Sequence, residues 1–133
     1  MKTIVILIVL LMLVDIPMVR YLYQTTYSGM YTKINSGTNT SIARLYIAGF
    51  IVYLLMALGL YVFVILPSVD VSFLMTIFRG ALLGVILFGV YDLTNVASIP
   101  ASFGIKEAAI DTIWGGTLFA IVTAVFLCIN SAF

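Results

Sequence analysis

The sequence predicts an all-α membrane protein, a bundle of four transmembrane helices. Three observations predict it. The chain is 64% hydrophobic and 8% charged, with a mean hydropathy of +1.26, whereas soluble domains run to about 45–50% apolar and about 25% charged. Its apolar residues gather into four runs, each close to the roughly 20 residues that a helix needs to cross a bilayer. Inside hydrocarbon every backbone N–H and C=O must be paired within its own segment, so isolated apolar runs read as helices and not as strands.

The first span fits Thr3–Tyr23, with Asp15 and Pro17 inside it. Its beginning, Met1-Lys2 and then apolar residues to Val14, has the look of a signal peptide. A cleavable signal ends in small residues. Here the run meets Asp15-Ile16-Pro17 and stays apolar to Tyr23, so it is read as a retained helix. The stretch Gln24–Ser41 is rich in Thr, Ser, Gly and Asn, contains Lys33, and forms the one long hydrophilic connection. The second span fits Leu45–Leu66, carries no charge and stops at Pro67, with Asp70 in the turn beyond. The third runs to Val96 and starts either near Phe73 or near Arg79, which interrupts it. Pro100 and Gly104 punctuate the next loop, Lys106-Glu107 follow, and the fourth span fits Ala108–Ile129. Residues 1–133 thus read as a single transmembrane domain.

The composition removes several kinds of chemistry. There is no histidine and one cysteine, Cys128. Zinc sites of the usual His and Cys type drop out, as do haem ligation, Ser-His-Asp catalysis and histidine proton shuttles. No internal disulfide can form, and Cys128 reads as a small buried or lipid-facing residue. A net charge of +1 points to no nucleic acid. No metal and no cofactor are expected. The expected partners are the lipid bilayer and other membrane or assembly proteins. Lys2 and Arg79 lie toward the N-terminal side, and Arg20, Lys33, Arg44 and Lys106 toward the opposite side. The positive-inside rule then places that opposite side in the cytoplasm and both termini outside. Asn39-Thr40-Ser41 has the form of a glycosylation sequon, but it would need its loop to be lumenal, against the charge count.

Antiparallel spans bring certain polar residues to similar depth. Asp15 falls in the second half of the first span, Asp92 and Asn95 at the end of the third, and Asp111 at the start of the fourth. All lie in the half of the bilayer opposite the N-terminus. An acid at the centre of a membrane helix costs about 2.5–3.5 kcal/mol on insertion scales and therefore faces the bundle interior. Asp92 and Asn95 are three apart and share a face, extended by Val85, Phe88 and Gly89. Asp111, Trp114, Gly115 and Leu118 form a matching stripe. Asp15 shares its face with Leu11, Met12, Met18 and Val19, and the stripe Tyr46, Gly49, Tyr53, Ala57 on the second span could carry phenol hydroxyls to the cluster. Asp111 near a helix start suits an anion. Asp92 near a helix end should seek a cation, a hydrogen-bond donor or a proton. Gly80 and Gly84 form a GxxxG, read as close packing within the chain. Two readings of the acids stay open: a functional site, and a polar knot that only holds helices together, with Asp111 as a helix cap and Tyr21, Tyr23 and Trp114 as interfacial belt residues.

The strings Arg79-Gly80-Ala81-Leu82-Leu83-Gly84, Tyr91-Asp92-Leu93-Thr94-Asn95-Val96-Ala97 and Asp111-Thr112-Ile113-Trp114-Gly115, together with Asp15, resemble the DUF2177 family of small predicted membrane proteins. The resemblance covers nearly the whole chain. It implies four helices and singles out Asp15, Asp92, Asn95, Asp111 and Trp114; Tyr91 is read with that polar cluster, and Gly80, Gly84, Gly89 and Gly115 are read as packing positions. It implies no activity, because the family has none assigned. The chain departs from the family's pattern at Pro17-Met18, where a tryptophan is usual after the first aspartate.

Three function classes follow. The leading one is a structural or accessory subunit of a membrane assembly, such as a virion membrane or an energy-transducing complex. The alternative is a small transporter or binder of a proton, cation or small polar ligand through Asp15, Asp92, Asn95 and Asp111. An intramembrane enzyme, with Asp92 and Asp111 as acid–base groups or as ligands to magnesium or calcium, comes last because no nucleophile accompanies them.

Overall fold

The computed structural model describes residues 2–25, 42–100 and 103–131. Among these, four helices are long and apolar enough to cross a membrane. Lys33 and the sequon at Asn39 lie outside the described residues.

Helix α1 spans Lys2–Thr25 and runs through Pro17. Proline has no N–H to give, so the Leu13 carbonyl loses its intrahelical partner there. The buried positions are Leu7, Leu11, Asp15 and Leu22. Their spacing of four, four and seven marks one face of a helix, and it carries Asp15 inward with the leucines. The face turns slightly away from the expected one: Met18 is half-buried and Val19 is exposed.

Helix α2 spans Ile42–Leu60 and continues into a π-helical turn, Tyr61–Ile65, and a 3₁₀ turn, Leu66–Ser68. Pro67 explains the change of register. It cannot donate to the Phe63 carbonyl and its ring crowds that oxygen. The Leu66 N–H instead reaches back five residues to the Tyr61 carbonyl, and the Ser68 hydroxyl donates to the Ile65 carbonyl at 2.7 Å.

Helix α3 spans Phe73–Ser98, the earlier of the two expected starts. Ser72 caps it. Its hydroxyl accepts from the Met75 N–H at 3.3 Å, and its carbonyl accepts from both the N–H and the hydroxyl of Thr76. With the cap ahead of it, Arg79 sits exposed within the helix. Helix α4 spans Ile105–Ser131, and its first turn closes from the Ala108 N–H to the Gly104 carbonyl at 3.1 Å.

Glycines set the α3–α4 contact. A methyl group at Gly80 would overlap Thr123, one at Gly84 would overlap the Gly115 carbonyl, and one at Gly115 would overlap Phe88. As the residue number rises along α3 the partner's number falls along α4, so the two helices are antiparallel and nearly in backbone contact. Small residues permit such approach, and close packing supplies attraction that lipid cannot compete away. The Gly80–Gly84 motif is therefore consumed within the chain.

The apolar core joins Leu7 and Leu11 of α1, Met56, Ala57, Leu60 and Val64 of α2 and its extension, and Leu118, Phe119, Val122 and Phe126 of α4. Phe119 meets Phe88 of α3 edge to face, 6.5 Å between ring centres. Helix α4 is the most buried of the four, which makes it the centre of the bundle. The outer faces carry Leu13, Phe50, Leu55, Phe63, Phe78 and Val90, all exposed, as a lipid-facing surface requires.

Candidate polar site

Two carboxylates are buried, and they sit in two layers. Asp15 is 6% exposed and accepts two hydrogen bonds, one on each oxygen. The Tyr53 hydroxyl donates to Oδ2 at 2.9 Å, and the Trp114 Nε1–H donates to Oδ1 at 2.8 Å. Three helices, α1, α2 and α4, thus meet at one side chain. Counted from the nearer helix ends, Asp15, Tyr53 and Trp114 lie about 14–17 Å deep at about 1.5 Å of rise per residue. That is close to the middle of a hydrocarbon core about 30 Å thick. Trp114 is therefore an interior hydrogen-bond donor and not a belt residue, while Tyr21 and Tyr23 are exposed.

Asp92 forms the second layer, about 9 Å from the end of α3 by the same rise. It is fully buried. Its Oδ2 accepts from the Thr112 hydroxyl at 2.9 Å, while its Oδ1 is buried and has no hydrogen-bond donor among the described residues. The Asp111 carboxyl stands within side-chain hydrogen-bonding reach of Asp92. A buried polar atom without a partner costs about 1–3 kcal/mol, and more where charge is involved. Such atoms are few in a native interior.

Thr112 stands apart from five other described threonines. Thr25, Thr76, Thr94, Thr117 and Thr123 each donate to the carbonyl four residues earlier in the chain, the local bond that lets a hydroxyl sit in hydrocarbon. Thr112 instead reaches across to Asp92.

The residues singled out by sequence take part in different contacts. Asp15 and Trp114 come together, and Asp92 and Asp111 come together one layer away. Asn95 is half-buried and contributes its backbone carbonyl, which accepts from the Ile99 N–H at 2.8 Å. Tyr91 is 63% exposed and faces outward. Gly80, Gly84 and Gly115 lie at the α3–α4 crossing, and Gly89 lies opposite Thr112, with room for a methyl group. On α2, Tyr53 reaches the site but Tyr46, about two turns away and 76% exposed, does not. Two residues outside the expected site belong to it. Tyr53 carried a signal, its place on a stripe facing the acids. Thr112 carried only its adjacency to Asp111.

Four helices, each long and apolar enough to cross a membrane, closed around buried carboxylates, define the class as a predicted membrane protein. The motif resemblance holds across the chain. This protein belongs to the DUF2177 family, described as a predicted membrane protein, whose model matches residues 1–128. No curated protein and no solved structure matches it.

Proposed function

We propose that this protein binds a proton reversibly at Asp92, in the manner of a small membrane transporter or ion-binding protein. One observation carries the reading: Asp92 is fully buried, and its Oδ1 lacks a donor while a second carboxyl, Asp111, stands beside it. A proton on Oδ1 would complete the arrangement. That proton would be shared between Asp92 and Asp111, and Oδ2 would go on accepting from Thr112. Two neighbouring carboxyl groups do not both ionise at low cost, and a shared proton or a small cation between them removes the conflict.

Infrared difference spectroscopy across a pH titration tests this in lipid. Wild type should show a protonated-carboxyl band that Asp92→Asn abolishes, with the helix content unchanged. A band that persists in Asp92→Asn refutes the assignment. Stabilisation by sodium, potassium or calcium that depends on Asp92 would replace the proton with that cation.

The accessory-subunit reading is supported by a different observation. On α2, residues Arg44 to Ala48 and Phe50 to Val52 are exposed, and a β-carbon at Gly49 would meet nothing within 4 Å. A neighbouring membrane helix could approach closely there. Native mass spectrometry from the source membrane should then retain a stoichiometric partner protein, and Gly49→Leu should release it. A lone species in wild type would rule this reading out.

A further inference from the structure

Asp92 and Asp111 lie at one level. Asp92 is six residues from the end of α3 at Ser98, and Asp111 is six residues from the start of α4 at Ile105, about 9 Å in each case. They differ in exposure: Asp92 is fully buried and Asp111 is half-buried. In the other direction the way is closed. Phe73, the far end of α3, is nineteen residues from Asp92, about 28 Å along the helix. Between them lie the Phe88–Phe119 edge-to-face pair and the close contacts of Gly84 with Gly115 and of Gly80 with Thr123. Leu118, Phe119, Val122 and Phe126 of α4 are all buried along this stretch. Spaces among such apolar side chains stay dry, so they carry neither water nor a proton.

We infer that Asp111 is the port through which Asp92 exchanges its proton, and that the port opens only to the side of the membrane where α3 ends and α4 begins. This deepens the proton-binding reading, on which it rests, by naming the residue and the side. The transfer is a plain exchange. A protonated Asp111 gives its proton to Asp92 Oδ1, and the carboxylate left behind takes another from a hydronium ion on that side. Release runs the same steps in reverse. Position selects Asp111 for this work. Its carboxyl stands within hydrogen-bonding reach of Asp92, while part of the residue stays at the surface. Thr112 also touches Asp92, but its hydroxyl proton is committed to Oδ2. The remaining titratable groups stand aside. Helix α3 packs against α4 and against the π turn Tyr61–Ile65. At this end α4 also carries Lys106, exposed, and Glu107, half-buried; the Glu107 carboxyl lies back beside Gly104. The π turn carries Tyr61, but Gly59 just ahead of it lies against Leu83, nine residues short of Asp92. On α3 itself Tyr91 faces outward. A closed apolar crossing on one side and a half-buried carboxyl on the other make the occupancy of Asp92 report the pH of one compartment.

The protein is reconstituted into phosphatidylcholine vesicles, and its orientation is fixed by protease cleavage of a tag at the N-terminus, which marks the opposite side. The Asp92 infrared band is then followed while the pH is changed on one side at a time. In wild type the band should follow the pH on the side away from the tag and ignore the other. After a rapid pH jump on that side, Asp111→Leu should protonate Asp92 about 100-fold more slowly, the lower weight of a positioned acid–base group. Asp111→Glu should restore the rate. A purely structural role for Asp111 would move the unfolding midpoint and leave the rate unchanged. A wild-type band that follows the tagged side, or both sides, overturns the inference and needs no variant to do so. Protonation as fast in folded Asp111→Leu as in wild type overturns it as well. In either case the proton-binding reading stands, whereas a wild type with no Asp92 band at any pH removes that reading and the port together.

Discussion

Replacing Tyr53 with phenylalanine removes one oxygen atom, the donor that lies 2.9 Å from Asp15 Oδ2. The Trp114 bond to Oδ1 at 2.8 Å remains, so the carboxylate falls from two donors to one. Leaving a buried hydrogen-bonding group without its partner costs about 1–3 kcal/mol, whereas bonds between membrane helices average about 0.6 kcal/mol. Asp15 is 6% exposed and near mid-membrane, with no ready water to replace the phenol. The upper scale therefore applies, and Tyr53→Phe should cost about 2 kcal/mol, which is about a 30-fold fall in the folding equilibrium constant. Equilibrium unfolding in mixed micelles can follow this by circular dichroism and by the fluorescence of Trp114, the sole tryptophan. The decisive comparison repeats the substitution in an Asp15→Leu background. There the phenol has lost its acceptor, so removing it should be neutral or mildly stabilising. An equal loss in both backgrounds, within the roughly 0.5 kcal/mol of ordinary additivity, would refute the reasoning. So would a wild-type loss no larger than about 0.6 kcal/mol, which would make Asp15 an ordinary interhelical contact.

Further outcomes follow from the packing and from Thr112. Gly84→Ala drives a methyl group into the Gly115 carbonyl and should destabilise the α3–α4 hairpin by about 1–3 kcal/mol. Gly49→Ala, which meets nothing within 4 Å, should be neutral or stabilising by up to about 1 kcal/mol; unfolding midpoints in the same micelles compare the pair. Phe119 is fully buried against Phe88, so Phe119→Ala should cost about 3–5 kcal/mol, read by the same unfolding assay. Thr112→Val keeps the shape but removes the donor to Asp92, and it should displace the Asp92 band in the infrared titration. Thr112→Ser should leave that band in place.

The spans were legible because length and composition alone decide what can cross a bilayer. The stop at Pro67 was legible too, but not the π turn ahead of it, which is a choice of hydrogen-bond register with no compositional mark. The start of α3 was ambiguous because Arg79 looked like a boundary; Ser72, as a cap, resolves it three residues before Met75. For the site, spacing put Asp15, Asp92 and Asp111 in the same half of the membrane. It could not show which would meet. A membrane helix is apolar on every side, so the pattern that orients a soluble helix is weak, and each helix's rotation about its own axis stays open. That rotation is what pairs Asp15 with Tyr53 and Trp114 and leaves Asp92 to Thr112. It also turns Tyr91 outward beside a buried Asp92, one residue apart on opposite faces. Gly80 and Gly84 lie against Thr123 and Gly115 of α4, since small residues four apart admit a second backbone whatever the rotation of their neighbours.

The two donors to Asp15 are far apart in the chain. Tyr53 follows it by 38 residues and Trp114 by 99. At a synthesis rate of about 5–20 residues per second, the second donor emerges about 5–20 s after the acid. During that interval the growing protein already holds a carboxylate at mid-membrane depth, and the indole that completes its coordination has yet to be made. The order of birth therefore makes the arrival of α4 the step that commits the bundle, and the first two helices wait for it half-satisfied.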